Sequence, residues 1–194
     1  MKNRWKTAFF VLLGLIVIVF ATLIIMAILP GEKPEAEPAK NIDEDKHVGF
    51  AIRTNREDVN KLVNYYLEKE IGSAPIDYRV QVEDDVALYG SVPFFSQELD
   101  MKMAFEPEAL ENGDLLLKQT NLQVGKLPLP VPYVLDFIRK NYKLPAGVEI
   151  LPNEEVIYVH MQELKLKSDA KLKANTFDLK NDDISFTLLV PVKE

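Results

Sequence analysis

The chain has 194 residues, 47% of them hydrophobic and 27% charged, a composition that excludes a disordered or collagen-like polymer. A net charge of −7 argues against a general nucleic-acid binder, and the absence of cysteine removes disulfides, thiolate catalysis, Cys-ligated zinc and a lipid-modified N-terminal cysteine. With His47 and His160 as the two histidines, most histidine metal sites and catalytic triads are out of reach.

Residues 8–29 form an uncharged run of 22 residues preceded by Lys2, Arg4 and Lys6. About 20 such residues span a hydrocarbon core, whereas the apolar region of a cleavable signal has only ~7–15. Residues 1–29 are therefore expected to be a short cytoplasmic N-terminus and an uncleaved transmembrane signal anchor. The positive-inside rule places the C-terminal bulk outside the cell membrane. Residues 30–194 carry 20 basic and 30 acidic side chains, a net −10, which disfavours docking on anionic headgroups through a basic face. Residues 30–48 alternate Pro30, Pro34 and Pro38 with Glu, Lys and Ala and read as an acidic tether. The coil from residue 30 to 53 spans roughly 27 Å, so the domain at 49–194 is expected to stay near the bilayer.

That domain opens with a helix. Thr54, Asn55, Arg56 and Glu57 have capping-box spacing, and Val59, Leu62, Val63, Tyr66, Leu67 and Ile71 form one apolar stripe ahead of Gly72. From Ile76 the period becomes two: Ile76, Tyr78, Val80 and Val82, then Val86, Leu88, Gly90 and Val92, then Leu99, Met101, Met103 and Phe105. Asp84-Asp85 and Asn112-Gly113 mark turns. The phase slips between Leu115, Leu117 and Leu122, Val124, which calls for a β-bulge. Prolines at 128, 130 and 132 favour an extended crossing, and Val131, Val134, Leu135, Ile138 and Tyr142 then share one face of a short helix. Alternation resumes at Val156, Tyr158 and His160, at Leu164, Leu166, Ala170, Leu172 and Ala174, and at Ile184, Phe186, Leu188 and Val190. Clean alternation means antiparallel strands with one buried face. The expected fold is α+β: a long curved antiparallel sheet wrapped around two amphipathic helices.

The anchor, the acidic tether, the first helix, the meander and the segment Val-Gly-Lys-Leu-Pro-Leu-Pro-Val-Pro-Tyr-Val-Leu at 124–135 resemble the YpmS family of Gram-positive bacteria, over essentially the whole chain. The proline segment ahead of a short helix is more loosely similar to TULIP-like lipid-binding domains. That resemblance implies a curved sheet enclosing a tunnel or groove for acyl chains, and neither resemblance brings a catalytic motif.

Chemistry-bearing motifs are absent: there is no nucleophile elbow, phosphate-binding loop, dinucleotide fingerprint or His-Glu-x-x-His. Asp84-Asp85, Glu154-Glu155 and Asp182-Asp183 read as turn residues rather than a carboxylate pair. His160, inside a strand pattern, reads as structural. Lys165, Lys167, Lys171 and Lys173 read as the solvated side of a strand, with headgroup contact the sharper alternative. No enzymatic activity, metal or cofactor is expected. Methionine adapts to varied chains, so Met101 and Met103, with Leu99 and Phe105, are candidates for a lipid groove. Phe94, Phe95, Leu127 and Leu129 in irregular segments, Leu62 and Tyr66 on the first helix, and Val134, Leu135 and Ile138 on the second complete the candidate set. The expected function is a membrane-anchored lipid-binding or lipid-transfer module, whose partner is a membrane lipid or acyl chain. The alternative is a non-catalytic envelope scaffold that docks a protein partner through a sheet edge or the proline segment. No nucleic acid is expected as a partner.

Overall fold

The computed structural model describes residues 46–71, 78–94, 97–166 and 168–192. The elements run β1 (His47–Thr54), α1 (Arg56–Ile71), β2 (Arg79–Val82), β3 (Val86–Phe94), β4 (Gln97–Ala109), β5 (Leu115–Val124), α2 (Val131–Asn141), β6 (Val148–Leu151), β7 (Val156–Val159), β8 (Lys171–Asp178) and β9 (Asp183–Pro191). Every strand pairing is antiparallel. The class is α+β, as the period-two pattern required.

The strands divide between two sheets, one of six strands in the order β2-β3-β4-β5-β7-β6 and one of three in the order β1-β9-β8. The single long sheet expected from the pattern is thus split. The split falls where the chain leaves β7: Met161–Glu163 form a 3-10 turn, and residues 164–166 and 168–170 carry no strand. The expected strand through Leu164, Leu166 and Ala170 instead begins at Lys171, while Lys167 lies outside the described residues. The lysine row therefore does not share one strand. Two strands escaped the sequence pattern. β1 lies partly in the expected tether and pairs with β9, His47 opposite Pro191 and Thr54 opposite Ile184. β6 is four residues cut short by Pro152.

Local signals account for the rest. The N-cap of α1 is Asn55, one residue beyond the expected Thr54: its Oδ1 accepts the Asp58 N–H at 2.9 Å while its Nδ2 donates to Asp58 Oδ2 at 3.1 Å. Asp182, in the β8–β9 turn, accepts the Arg56 N–H at 2.7 Å and satisfies another free helix donor. The phase slip in β5 is a bulge: Ala104 faces Asn121 but Phe105 faces Gln119, so Thr120 is the extra residue, and its hydroxyl donates to the Ala104 carbonyl at 3.2 Å. Asn112-Gly113 makes the β4–β5 turn with Gly113 at φ +89°, a conformation that suits glycine. Pro130 and Pro132 start α2, whose Val134, Leu135 and Ile138 are buried.

The apolar face of the large sheet receives both helices. α2 packs with Met101, Met103, Phe105 and Val124 in one cluster. Val59 of α1 packs with Val82, Leu179 and Ile184 in another. Among the described residues no helix is long and apolar enough to cross a membrane, and the expected anchor at residues 8–29 lies outside them.

Candidate functional site

Between the areas covered by α1 and α2 lies a cavity of about 650 Å³. All six strands of the large sheet contribute wall. Leu117, Ile157 and Ile150 stand opposite one another across β5, β7 and β6, and Leu115, Val159 and Val148 form the next row. Val80, Val82, Val86 and Leu88 extend the wall through β2 and β3, with Met101 and Phe105 from β4. Ile52, Leu172, Phe177 and Phe186 close it from the small sheet, and Leu144, Leu164 and Leu166 from irregular segments. Thr54, Asp58, Lys143 and Lys165 are the hydrophilic side chains on this wall, apart from three tyrosines. Most of the wall is valine, isoleucine and leucine.

The helix α1 shows the vacancy most directly. Its apolar stripe meets the void along Val59, Leu62, Val63, Tyr66 and Leu67, and of these Val59 alone is buried. Leu62 is 55% exposed. A core helix normally buries such a stripe against a partner. Here the partner surface stands back. Side chains that are exposed yet line the cavity mark its mouth: Ile52, Asp58, Leu62, Lys143 and Lys165.

The tyrosines keep the wall neutral. Burial, together with neighbouring Tyr142, pushes the Tyr78 phenol up to about 12. Burial raises the Tyr142 phenol too, with Glu98 adding to the effect. Their rings meet edge-on at 5.8 Å, and the Tyr142 hydroxyl donates to the Ser91 carbonyl at 2.8 Å. Neither phenol carries charge at neutral pH.

Of the residues expected to line a groove, Leu62, Tyr66, Met101, Phe105 and Ile138 do lie on this wall. Met103, Val134 and Leu135 do not; they are buried in the cluster that α2 forms with the large sheet. Leu99 and Leu129 pack at the edge of that cluster. Leu127 bridges back to Val124 in the turn after β5 and is absent from the wall. Phe94 ends β3 but its side chain, like all of Phe95, lies outside the described residues. Sequence reasoning missed the β6–β7 wall and the segments 142–146 and 164–166. A row of β-branched residues on one face, Val148, Ile150, Ile157 and Val159, was the available signal.

A polar clasp borders the mouth. Asp114, fully buried, accepts the Met161 N–H at 3.0 Å and the Asn112 amide at 3.0 Å. The ring of His160 stands 3.5 Å from Asp114 Oδ2 and 3.4 Å from Glu149 Oε2, packed on Tyr158. Burial raises the Asp114 carboxyl above its ordinary range, against the Met161 N–H and His160, which pull it down. Its oxygens hold the Asn112-Gly113 turn onto the 3-10 turn at Met161, and His160 stands beside them one residue past the end of β7 rather than within a strand. Among the described residues no group of three or more acidic or histidine side chains is placed to hold a metal ion.

Comparison with known proteins is consistent over the whole chain. The family model described as "Uncharacterized protein conserved in bacteria (DUF2140)" matches residues 3–190. The "Uncharacterized protein YpmS" of Bacillus subtilis (strain 168) is 33% identical over 189 residues, covering 97% of this chain and 98% of that protein. No solved structure matches.

Proposed function

The chain belongs to the bacterial family DUF2140, the family of YpmS, and we propose that it is a membrane-anchored extracytoplasmic module that holds acyl chains in the cavity beneath its six-stranded sheet. One observation carries this reading: a carbon-lined space of about 650 Å³ to which all six strands contribute. Small-molecule sites fall at about 300–1,000 Å³, so the space is of ligand size. Strands lie about 4.8 Å apart, so a wall drawn from six of them extends about 24 Å, beyond the ~15 Å of hydrocarbon in one leaflet. Each buried methylene contributes ~0.8 kcal/mol, and a ten-carbon stretch on the order of 8 kcal/mol before ordering costs. No reaction is required of the site, and none of its polar groups forms a nucleophile–base pair.

A route between bilayer and cavity supports the same reading. Val48, Phe50 and Ile52 share one face of β1, opposite Val190, Leu188 and Phe186. Ile52 and Phe186 line the cavity, while Val48 and Phe50 lie beyond it and are exposed, Phe50 by 54%. This apolar strip runs along β1 to its N-terminal end, and in sequence β1 follows the expected tether, whose length keeps the domain near the lipid surface. Phe50→Asp is expected to slow transfer of a fluorescent fatty acid from vesicles by about thirtyfold, because a buried Phe contributes roughly 2 kcal/mol at the bilayer. Equilibrium affinity should stay within about twofold, since Phe50 does not line the cavity. Unchanged transfer kinetics would remove the strip from the route.

The main test is native mass spectrometry of the full-length chain released from membranes. Co-purified lipid is expected. A clean unliganded mass, with no uptake of fluorescent fatty acid, would overturn the proposal.

A further inference from the structure

The cavity wall is apolar except at its mouth, and the charge there is one-sided. Asp58, the acidic side chain on the wall, is answered on its own helix: Lys61 Nζ lies 3.6 Å from Asp58 Oδ1, and Asn55 donates to its other oxygen. Lys143 and Lys165 are exposed, line the cavity, and form no ion pair among the described residues. They sit at the same end of the cavity. The Gly147 carbonyl accepts the His160 N–H at 2.7 Å, and a Cβ built on Gly147 would meet Glu163 Cβ at 3.2 Å, so the segment leading from Lys143 and the segment leading to Lys165 run side by side. Glu163 itself does not line the cavity. Leu144, next to Lys143, and Leu164 and Leu166, on either side of Lys165 in sequence, also line the cavity.

We propose, on the basis of the acyl-chain reading, that the ligand is an anionic amphiphile: its chain lies along the sheet and its headgroup oxyanion sits at the mouth between Lys143 and Lys165. The arrangement matches both ends of such a molecule. Carbon meets carbon inside, and two ammonium groups that form no ion pair among the described residues face an oxyanion at the water boundary, where a charged head keeps part of its hydration. A neutral amphiphile of equal length fills the cavity equally well but leaves both lysines unanswered. The lysines also supply orientation, since a chain entering tail-first stops when its head reaches them. A carboxylate and a phosphodiester present the same chemistry to two lysines, so a free fatty acid and an anionic phospholipid are the two sources.

The test uses the full-length chain in a non-ionic detergent, loaded with a fluorescent fatty acid and titrated with palmitate, with hexadecanol, and with phosphatidylglycerol or phosphatidylcholine. Palmitate is expected to displace the probe about tenfold better than hexadecanol, the scale of two partly exposed charge contacts. Lys143→Gln combined with Lys165→Gln should bring palmitate down to the level of the alcohol and leave the alcohol unchanged. Lys126→Gln combined with Lys180→Gln, an equal charge loss off the wall, should keep the preference. A lysine-dependent preference for phosphatidylglycerol over phosphatidylcholine assigns the phospholipid source; the preference confined to palmitate assigns the free acid. Equal displacement by acid and alcohol, or a preference that survives loss of both lysines, overturns the headgroup site while the acyl-chain reading stands. Failure of the probe to bind at all overturns both.

Discussion

Leu117→Trp is expected to abolish acyl-chain uptake while leaving the thermal unfolding midpoint unchanged or raised. Leu117 lies on β5, opposite Ile157, and lines the cavity near the middle of the six-stranded sheet. An indole there enters space that no side chain occupies. Overpacking a filled core costs about 1–3 kcal/mol, because neighbours are forced off their rotamers. That cost does not arise where about 650 Å³ is available. An indole placed midway blocks about half the wall. Loss of roughly five methylene contacts at ~0.8 kcal/mol each removes about 4 kcal/mol, on the order of a thousandfold in affinity. The contrast is Met103→Trp. Met103 has no exposed surface, is absent from the cavity wall and is packed under α2, so the same large residue should lower stability by about 2 kcal/mol. Differential scanning fluorimetry with fatty-acid titration reads both quantities. Equal destabilisation by the two variants would mean that the interior is filled, and would return the chain to a scaffold docked through its surface.

Those two positions also show where sequence reasoning ended. Leu117 and Met103 are both apolar positions of alternating strands, and alternation places each on the inner face correctly. Whether that face is covered depends on where α2 lies. Its start was legible from Pro130 and Pro132, but the cluster it forms, from Met103 on β4 to Ile150 on β6 and Ile157 on β7, depends on where the crossing between Val124 and Val131 delivers the helix. Periodicity reports the side of a sheet, not the distance to what faces it. Methionine drew attention because it is adaptable, and Met101 does line the cavity, yet Met103 fills core, while the wall runs on through Val148, Ile150, Ile157 and Val159. α1 and β3 to β5 were legible because each carries its own cap, turn or bulge. β1 was not: its residues alternate, but its partner β9 begins at Asp183, far along the chain, and only pairing gives a run as short as Val48, Phe50 and Ile52 its meaning. The two lysines of the mouth lie in irregular segments, whose adjacency is set by the contact of Gly147 with the residues after β7. Gly147 sits at φ +79°, and a Cβ there would stand 2.7 Å from the His160 carbonyl oxygen, so the approach itself depends on glycine.

Asp114→Ala is expected to be the most destabilising single truncation outside the apolar core. The carboxylate has no exposed surface, and three groups converge on it. Removing it leaves the Met161 N–H without its acceptor, the Asn112 amide with the Tyr158 hydroxyl alone, and His160 without the carboxylate beside Nδ1. Each buried donor left unsatisfied costs about 1–3 kcal/mol, so a total near 3 kcal/mol is expected, or a midpoint lowered by about 6–12 °C in a domain of this size. The damage should extend to ligand uptake, because Met161 begins the segment that carries Leu164, Lys165 and Leu166 to the mouth. Asp114→Asn keeps the shape and one acceptor and should cost less. It also isolates the charge. Burial raises the carboxyl in the folded chain, so between the ordinary carboxylate value and the raised one the fold holds a proton that the unfolded chain has released. Stability then falls as pH rises through that interval, and the Asn variant lacks this slope. Urea midpoints of both chains across the mildly acidic range measure the difference. Parallel profiles would mean that Asp114 titrates alike in the folded and unfolded chain, and the clasp would then act through its hydrogen bonds alone.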